Sequence, residues 1–245
     1  MDETTIRVLN DLNRRFYERY ADSFDATRGT AWPGWSRLLP HLRPGMSFLD
    51  AGCGNARFAL FLADSLGRGA FRYHGFDSSP TLLERARRAL GDLPEAALEV
   101  RDLLTDPLPE PSFDCVALFG VMHHMAGAER RKALLRALAE RTAPGGILVF
   151  TTWRFFEYDR FRERIIPWSE APGVGDLSVE PGDHLLDWQR DRSTPRYCHA
   201  VDDAELAQLI AVTGLVLADD YRADGCDGAV NRYTVLRRPN GTPEK

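Results

Sequence analysis

The chain has 245 residues, 44% of them hydrophobic, with a formal net charge of −5. That length supplies the apolar side chains for one well-packed core, and the acidic balance excludes a global basic surface, so any nucleic-acid contact must rest on a local patch. The cysteines Cys53, Cys115, Cys198 and Cys226 show no metal-ligand spacing, and no run nears the roughly 18 apolar residues that span a bilayer; reduced thiols, no metal site, no membrane contact and a cytoplasmic location are expected.

Ile6, Leu9, Leu12, Phe16 and Tyr20 recur at three- and four-residue steps, which predicts an amphipathic helix over 5–21. A second short helix is expected over 34–42. Strands are then predicted over 47–51, 73–77, 97–100, 113–119 and 146–152, separated by helices over 56–65, 80–90 and 128–142. Strands alternating with helix-length segments imply an α/β fold with a doubly wound, mostly parallel sheet. Pro144, Gly145 and Gly146 are read as ending the last of these helices. The triplet Arg130, Arg131 and Lys132 is read as a solvated helix start.

Residues 153–200 break the alternation and are rich in aromatics, arginine, proline and glycine, as an insertion or lid would be. A helix over 202–213, capped by Asp202 or Asp203, and two closing strands over 215–221 and 232–236 complete a seven-stranded count. The tail from 238 is expected to fray. One domain over 1–245 follows: a helical cap (1–45), a core (46–152), a substrate lid (153–200) and a closing helix with antiparallel strands (201–238).

The chemistry gathers at the strand ends. Asp50, Ala51, Gly52, Cys53, Gly54 and Asn55 form a glycine-rich turn between a buried strand and a helix, where backbone can approach a ligand. No third glycine follows, which argues against a dinucleotide site. Asp77, beside Ser78, ends the next strand, where a carboxylate can accept both hydroxyls of a ribose. Asp102 follows the third strand with Leu103 to flank a flat base, and Phe119 and Gly120 end the fourth. Four consecutive strand ends thus place glycines and acids on one rim.

From Phe48 to Thr152 this order resembles the class I S-adenosylmethionine (SAM) dependent methyltransferases. The resemblance implies SAM as cofactor, with Asp50, Gly52, Gly54 and Asn55 at its methionine end, Asp77 and Ser78 at the ribose, Asp102 and Leu103 at the adenine, and Phe119 as support. Shorter pieces resemble the tRNA wobble-uridine carboxymethyl methyltransferases: Tyr20-Ala21-Asp22-Ser23-Phe24, Thr27-Arg28, Trp32-Pro33, Val121-Met122-His123-His124, Pro167-Trp168 and Arg196-Tyr197-Cys198-His199. That family implies a tRNA acceptor, a methyl-ester product and a small activating partner protein. Arg28, whose guanidinium fork matches a carboxylate, is a candidate for the methionine end of the cofactor, and Tyr17, Tyr20 and Trp32 are candidates to close that site from the N-terminal helix. Cations interleaved with aromatics make Trp153, Arg154, Arg164 and Trp168, together with Trp32, Arg196 and Tyr197, candidates for the substrate. A carboxylate acceptor needs no base; for a hydroxyl or amine, His123, His124 and His199 are the candidates. A small-molecule or peptide O- or N-methyltransferase is the alternative, favoured by the acidic charge. A non-catalytic SAM-binding protein stays open.

Overall fold

Every position of Ser47–Ala51 (β1) is buried, as a strand covered on both faces by helices must be. The computed structural model describes residues 1–26, 30–110, 112–171, 173–188 and 191–240, with only the backbone over 21–26. Ahead of β1 come α1 (Glu3–Ala26) and a 3-10 segment over Pro33–His41; after it come α2 (Arg57–Leu66), β2 (Arg72–Asp77), α3 (Pro80–Leu90), β3 (Ala96–Val100), β4 (Phe113–Leu118), α4 (Ala128–Glu140) and β5 (Thr142–Trp153). Then follow α5 (Asp159–Arg162), β6 (Ile165–Ile166), β7 (Asp183–Trp188), β8 (Asp191–His199), α6 (Asp203–Ala211), β9 (Val216–Ala223) and β10 (Asn231–Arg237).

Seven strands form one sheet in the order β3-β2-β1-β4-β5-β10-β9. Its first five are parallel, and β10 runs antiparallel between β5 and β9. Strand order reverses between β1 and β4, the switch point where such sheets open a crevice. Strand alternation feeds two cores: Phe48 joins Trp35, Phe58 and Phe119 on one face, while Leu49 joins Leu134, Leu138 and Phe150 on the other. Among the described residues no helix is long and apolar enough to cross a membrane.

Three expectations are corrected. The short second helix is 3-10, since it starts at Pro33 and contains Pro40, whose ring removes a donor. Pro144, Gly145 and Gly146 lie inside β5 and do not stop α4, which ends at Glu140. The register of β5 against β4 shifts there, and a Cβ at Gly146 would meet the Asp114 carbonyl at 2.8 Å, so only glycine fits. Arg131 is not solvated: it is 1% exposed.

The segment 153–200 builds a second, antiparallel sheet in the order β6-β7-β8. The apolar stripe of α1 finds its partner there: Ile6, Leu9 and Leu12 cluster with Ile166, Leu185 and Tyr197. Asn13 in the same helix accepts from the Tyr197 amide at 2.8 Å.

A buried polar network fastens this second sheet to α4 and α6. Arg131 donates from Nε to Glu205 at 2.6 Å, from Nη2 to Glu180 at 3.0 Å and from Nη1 to the Met125 carbonyl at 3.0 Å. His199 meets Asp183 at 2.6 Å through Nδ1 and Glu205 at 2.7 Å through Nε2. Burial alone would push His199 down, but its two carboxylate partners outweigh it and the net direction is up from 6.5. A histidine raised by folding stabilises the fold below its ordinary value and loses that contribution as pH climbs through the raised one. Urea unfolding across pH should therefore show stability falling above 6.5, with a flatter profile for His199→Gln. Arg131→Met should cost roughly 3 kcal/mol, since it removes a fully buried guanidinium and leaves two partly buried carboxylates without their cation; a loss under 1 kcal/mol would contradict the network's role.

Candidate cofactor and acceptor site

The loop after β1 wraps the tip of β2, because the amides of Gly52 and Cys53 both donate to the Phe76 carbonyl at 2.9 Å. Gly52 and Gly54 take the left-handed region, with φ of +75° and +55°. Ala56 joins them at φ +58° as the residue before α2, a strained position for a side chain that the sequence reading did not single out. Asp77 clamps the loop: Oδ2 accepts from the Gly54 amide and Oδ1 from the Ser79 amide, each at 2.9 Å. Ser79 is the actual cap of α3, accepting from Leu82 at 3.3 Å, which leaves Asp77 free of that task. A carboxylate has about four acceptor positions, so Asp77 keeps two. Burial pushes its pKa up, against the two amides.

Asp50 is 2% exposed, and burial pushes it up to about 7. The Tyr73 hydroxyl, donating at 2.6 Å, opposes that rise, while the charge on Asp77 adds to it.

These groups line one cavity of about 650 Å³. Asp50, Gly52, Gly54, Asn55, Asp77 and Ser78 form one wall; Asp102, Leu103 and Phe119 continue it. Asp102 spends Oδ1 on the Leu104 amide at 2.8 Å, and this turn presents Leu103 to the cavity. Trp32 arches over the β4 tip, where a Cβ on Gly120 would come within 3.2 Å of its ring. From α1, Asn10, Asn13, Arg14 and Tyr17 supply the opposite side. The sequence reading raised Tyr17 but missed the other three. Their spacing was the signal, since 10, 13, 14 and 17 fall on one helical face beside the apolar stripe.

Of the three histidines, only His124 lines the cavity. Its Nδ1 lies 3.1 Å from the Tyr197 carbonyl and its Nε2 2.7 Å from the Tyr17 hydroxyl. The Asn13 side-chain NH2 also faces Nδ1, at 3.3 Å, so both ring nitrogens meet protein groups. His123 is 7% exposed and packs, with tilted rings, between His124 and Trp153 at ring separations of 4.1 and 5.2 Å. His199 is locked in the buried network.

The remaining candidates separate. Arg28 lies outside the described residues. Tyr20 donates to Asp191 at the start of β8 rather than lining the cavity. Arg154 pairs with Glu157 at 2.6 Å and Asp203 at 3.1 Å, and Arg162 pairs with Asp159. Arg164 is exposed, Trp168 packs against the cluster under α1, and Tyr197 donates to Asp183 at 2.7 Å. Trp153 and Arg196 meet, the guanidinium lying 4.8 Å from the ring.

Residues 48–146 match the family model described as a methyltransferase domain. Those residues carry a methyltransferase domain, on the fold that solved SAM-dependent methyltransferases share. It is 28% identical over 174 residues to the Probable tRNA methyltransferase 9B of Mus musculus, covering 70% of this chain and 36% of that protein. It is 31% identical over 151 residues to the tRNA (carboxymethyluridine(34)-5-O)-methyltransferase of Arabidopsis thaliana, covering 62% and 35%. The enzyme of that same name from Macaca fascicularis is 30% identical over 167 residues, covering 67% and 23%. The chain thus spans about a third or less of these relatives' length. A SAM-dependent methyltransferase structure from Methanosarcina mazei superposes with a TM-score of 0.66 at 16% identity, covering 86% of this chain and 100% of that one. The 1,6-didemethyltoxoflavin-N1-methyltransferase of Burkholderia thailandensis gives 0.63 at 18% identity, covering 94% and 88%. At such identities these two share the fold.

Gly52→Ala would force a Cβ into the left-handed region and within 2.5 Å of Val121 Cγ2. It should destabilise the domain by at least about 1–2 kcal/mol in urea unfolding; an unchanged midpoint would show that the loop does not need its present shape.

Proposed function

We propose that this chain is a SAM-dependent methyltransferase that esterifies the carboxylate of a carboxymethyl-type wobble uridine in tRNA. The cavity suits the cofactor: about 650 Å³ lies within the range of small-molecule sites. Asp77 would receive the ribose hydroxyls on its two remaining acceptor positions. Leu103 would flank the adenine, and the Gly52–Gly54 backbone would lie against the methionine part. SAM, when bound, supplies a sulfonium-activated methyl that passes to a carboxylate oxygen while the C–S bonding pair leaves on sulfur, forming ester and thioether with no proton exchanged.

The observation that carries the acceptor reading is His124. Of the three candidate histidines it alone lines the cavity, and both its ring nitrogens are engaged, Nδ1 by Asn13 and the Tyr197 carbonyl and Nε2 by Tyr17. With both nitrogens turned to protein groups, the ring presents neither of them directly to an acceptor, and a proton from a hydroxyl or amine would need a relay through the Tyr17 hydroxyl. A carboxylate, already ionised near neutral pH, needs none. His124 then serves to position α1 and β8 around the acceptor, and orientation supplies the rate. The tRNA relatives point the same way.

The test is mass spectrometry of tRNA incubated with the purified chain and SAM. A mass gain of one methyl on the carboxymethyl nucleoside is expected; methylation of small acceptors with none on tRNA would move the acceptor to a small molecule.

Two binding predictions accompany it. Asp77→Ala should weaken SAM binding by tenfold or more, about 1.4 kcal/mol, in calorimetry; unaltered affinity would remove Asp77 from the site. A cationic ligand favours the Asp50 carboxylate, so binding should release a proton near pH 7 and tighten as pH rises through about 7. Binding heats at pH 7 should vary with the buffer's ionisation enthalpy, and Asp50→Asn should abolish that variation.

A further inference from the structure

Arg196 is a buried cation with no ion-pair partner among the described residues. Its side chain is 6% exposed, and its Nε is enclosed without a hydrogen-bond partner. The other buried guanidinium among the described residues, Arg131, is paired by Glu180 and Glu205. Around Arg196 stand three aromatic rings instead: Trp153 at 4.8 Å, Phe16 at 5.4 Å and Trp188 at 5.6 Å from the guanidinium carbon. Ring faces offset part of the desolvation of a guanidinium but leave its N–H donors unanswered. A cation walled by rings, with one enclosed donor left over, is suited to an anion that arrives later.

The cage abuts the cleft. Trp153 ends β5, next to the β4 tip that lines the cavity, and its ring is 5.2 Å from His123. The Phe16 ring is 5.2 Å from that of Tyr17, which lines the cavity and bonds His124. The guanidinium therefore sits one side chain beyond the cofactor pocket, on the acceptor side.

We propose that Arg196, caged by Phe16, Trp153 and Trp188, holds the carboxylate of the methyl acceptor and makes the site select an acid over its neutral amide. The proposal rests on the carboxylate-acceptor reading above and assigns the residue that enforces it. A guanidinium fork engages a carboxylate through two donors, which fixes the plane of the group and the direction of its free lone pair. An uncharged amide leaves the buried cation unanswered and is rejected for that reason. Methylation removes the negative charge, so the ester loses the same contact and is held more weakly than the acid.

The test uses two nucleosides as probes, 5-carboxymethyluridine and its carboxamide, titrated against tryptophan fluorescence, because Trp153 and Trp188 touch the guanidinium. The intact chain should bind the acid roughly thirtyfold or more tightly than the amide, Arg196→Met should erase that preference, and Arg196→Lys should restore part of it. SAM affinity by calorimetry should be unchanged in both variants, which confirms that each is folded; should Arg196→Met not fold, the lysine variant carries the comparison with a reduced preference. An Arg196→Met chain that keeps the full acid preference overturns the proposal. So does one that keeps the preference but binds tRNA more weakly with a salt slope lower by about one, since Arg196 then contacts a backbone phosphate. A chain that methylates tRNA yet shows no acid preference sinks the Arg196 assignment alone. A chain that leaves tRNA unmodified yet prefers the acid through Arg196 keeps the anion site and loses the tRNA reading.

Discussion

Asp77 holds the mouth of the cleft in shape. Its carboxylate takes one amide from the glycine loop and one from the turn into α3, at 2.9 Å each, so the tips of β1 and β2 are joined by a single side chain. The loop needs that hold, because three of its residues, one of them an alanine, sit in the left-handed region. Left-handed backbone is costly for a side chain and persists where surrounding bonds over-determine it. The same carboxylate keeps the acceptor positions that a ribose needs. Loop architecture and ligand chemistry therefore draw on one group, and the remaining walls are placed relative to it.

The roof is a separate construction. A helix whose apolar stripe ignores the main sheet packs on a second, antiparallel sheet made from the insertion, and that sheet is tied down by Arg131, His199 and their carboxylates. Buried charge of this kind is costly to leave unpaired and specific when complete. It spends His199 on structure. His124 is likewise spent on joining α1 to β8. Under the proposed reading, the acceptor would arrive already ionised and Arg196 behind the cleft would supply the opposite charge.

Much of the core was legible because its signals are local. Strand residues β-branched or aromatic, helices with a 3.6-residue stripe and turns marked by glycine each carry their instruction within a few residues; β1 and α3 appear at the predicted bounds, and the other core elements within a few residues. The cavity-lining residues at the strand ends were legible for the same reason, whereas Tyr20, also named from the sequence, turns to Asp191 instead. The insertion was not. Its strands are short, its arginines alternate with the acids that neutralise them, and nothing local says that Arg154 and Arg162 face carboxylates while Arg196 faces rings.

By itself, then, the sequence determined the βαβ order, the glycine loop and the acids at the strand tips, because backbone preference and hydrophobic period act over neighbouring residues. Only the tertiary structure decided which cations are paired, which histidines are spent, and that α1 closes over the cleft on a sheet formed some 170 residues later. Those outcomes depend on charges and rings brought together from distant segments, and dielectric, desolvation and geometry at such meetings have no counterpart in the linear chain.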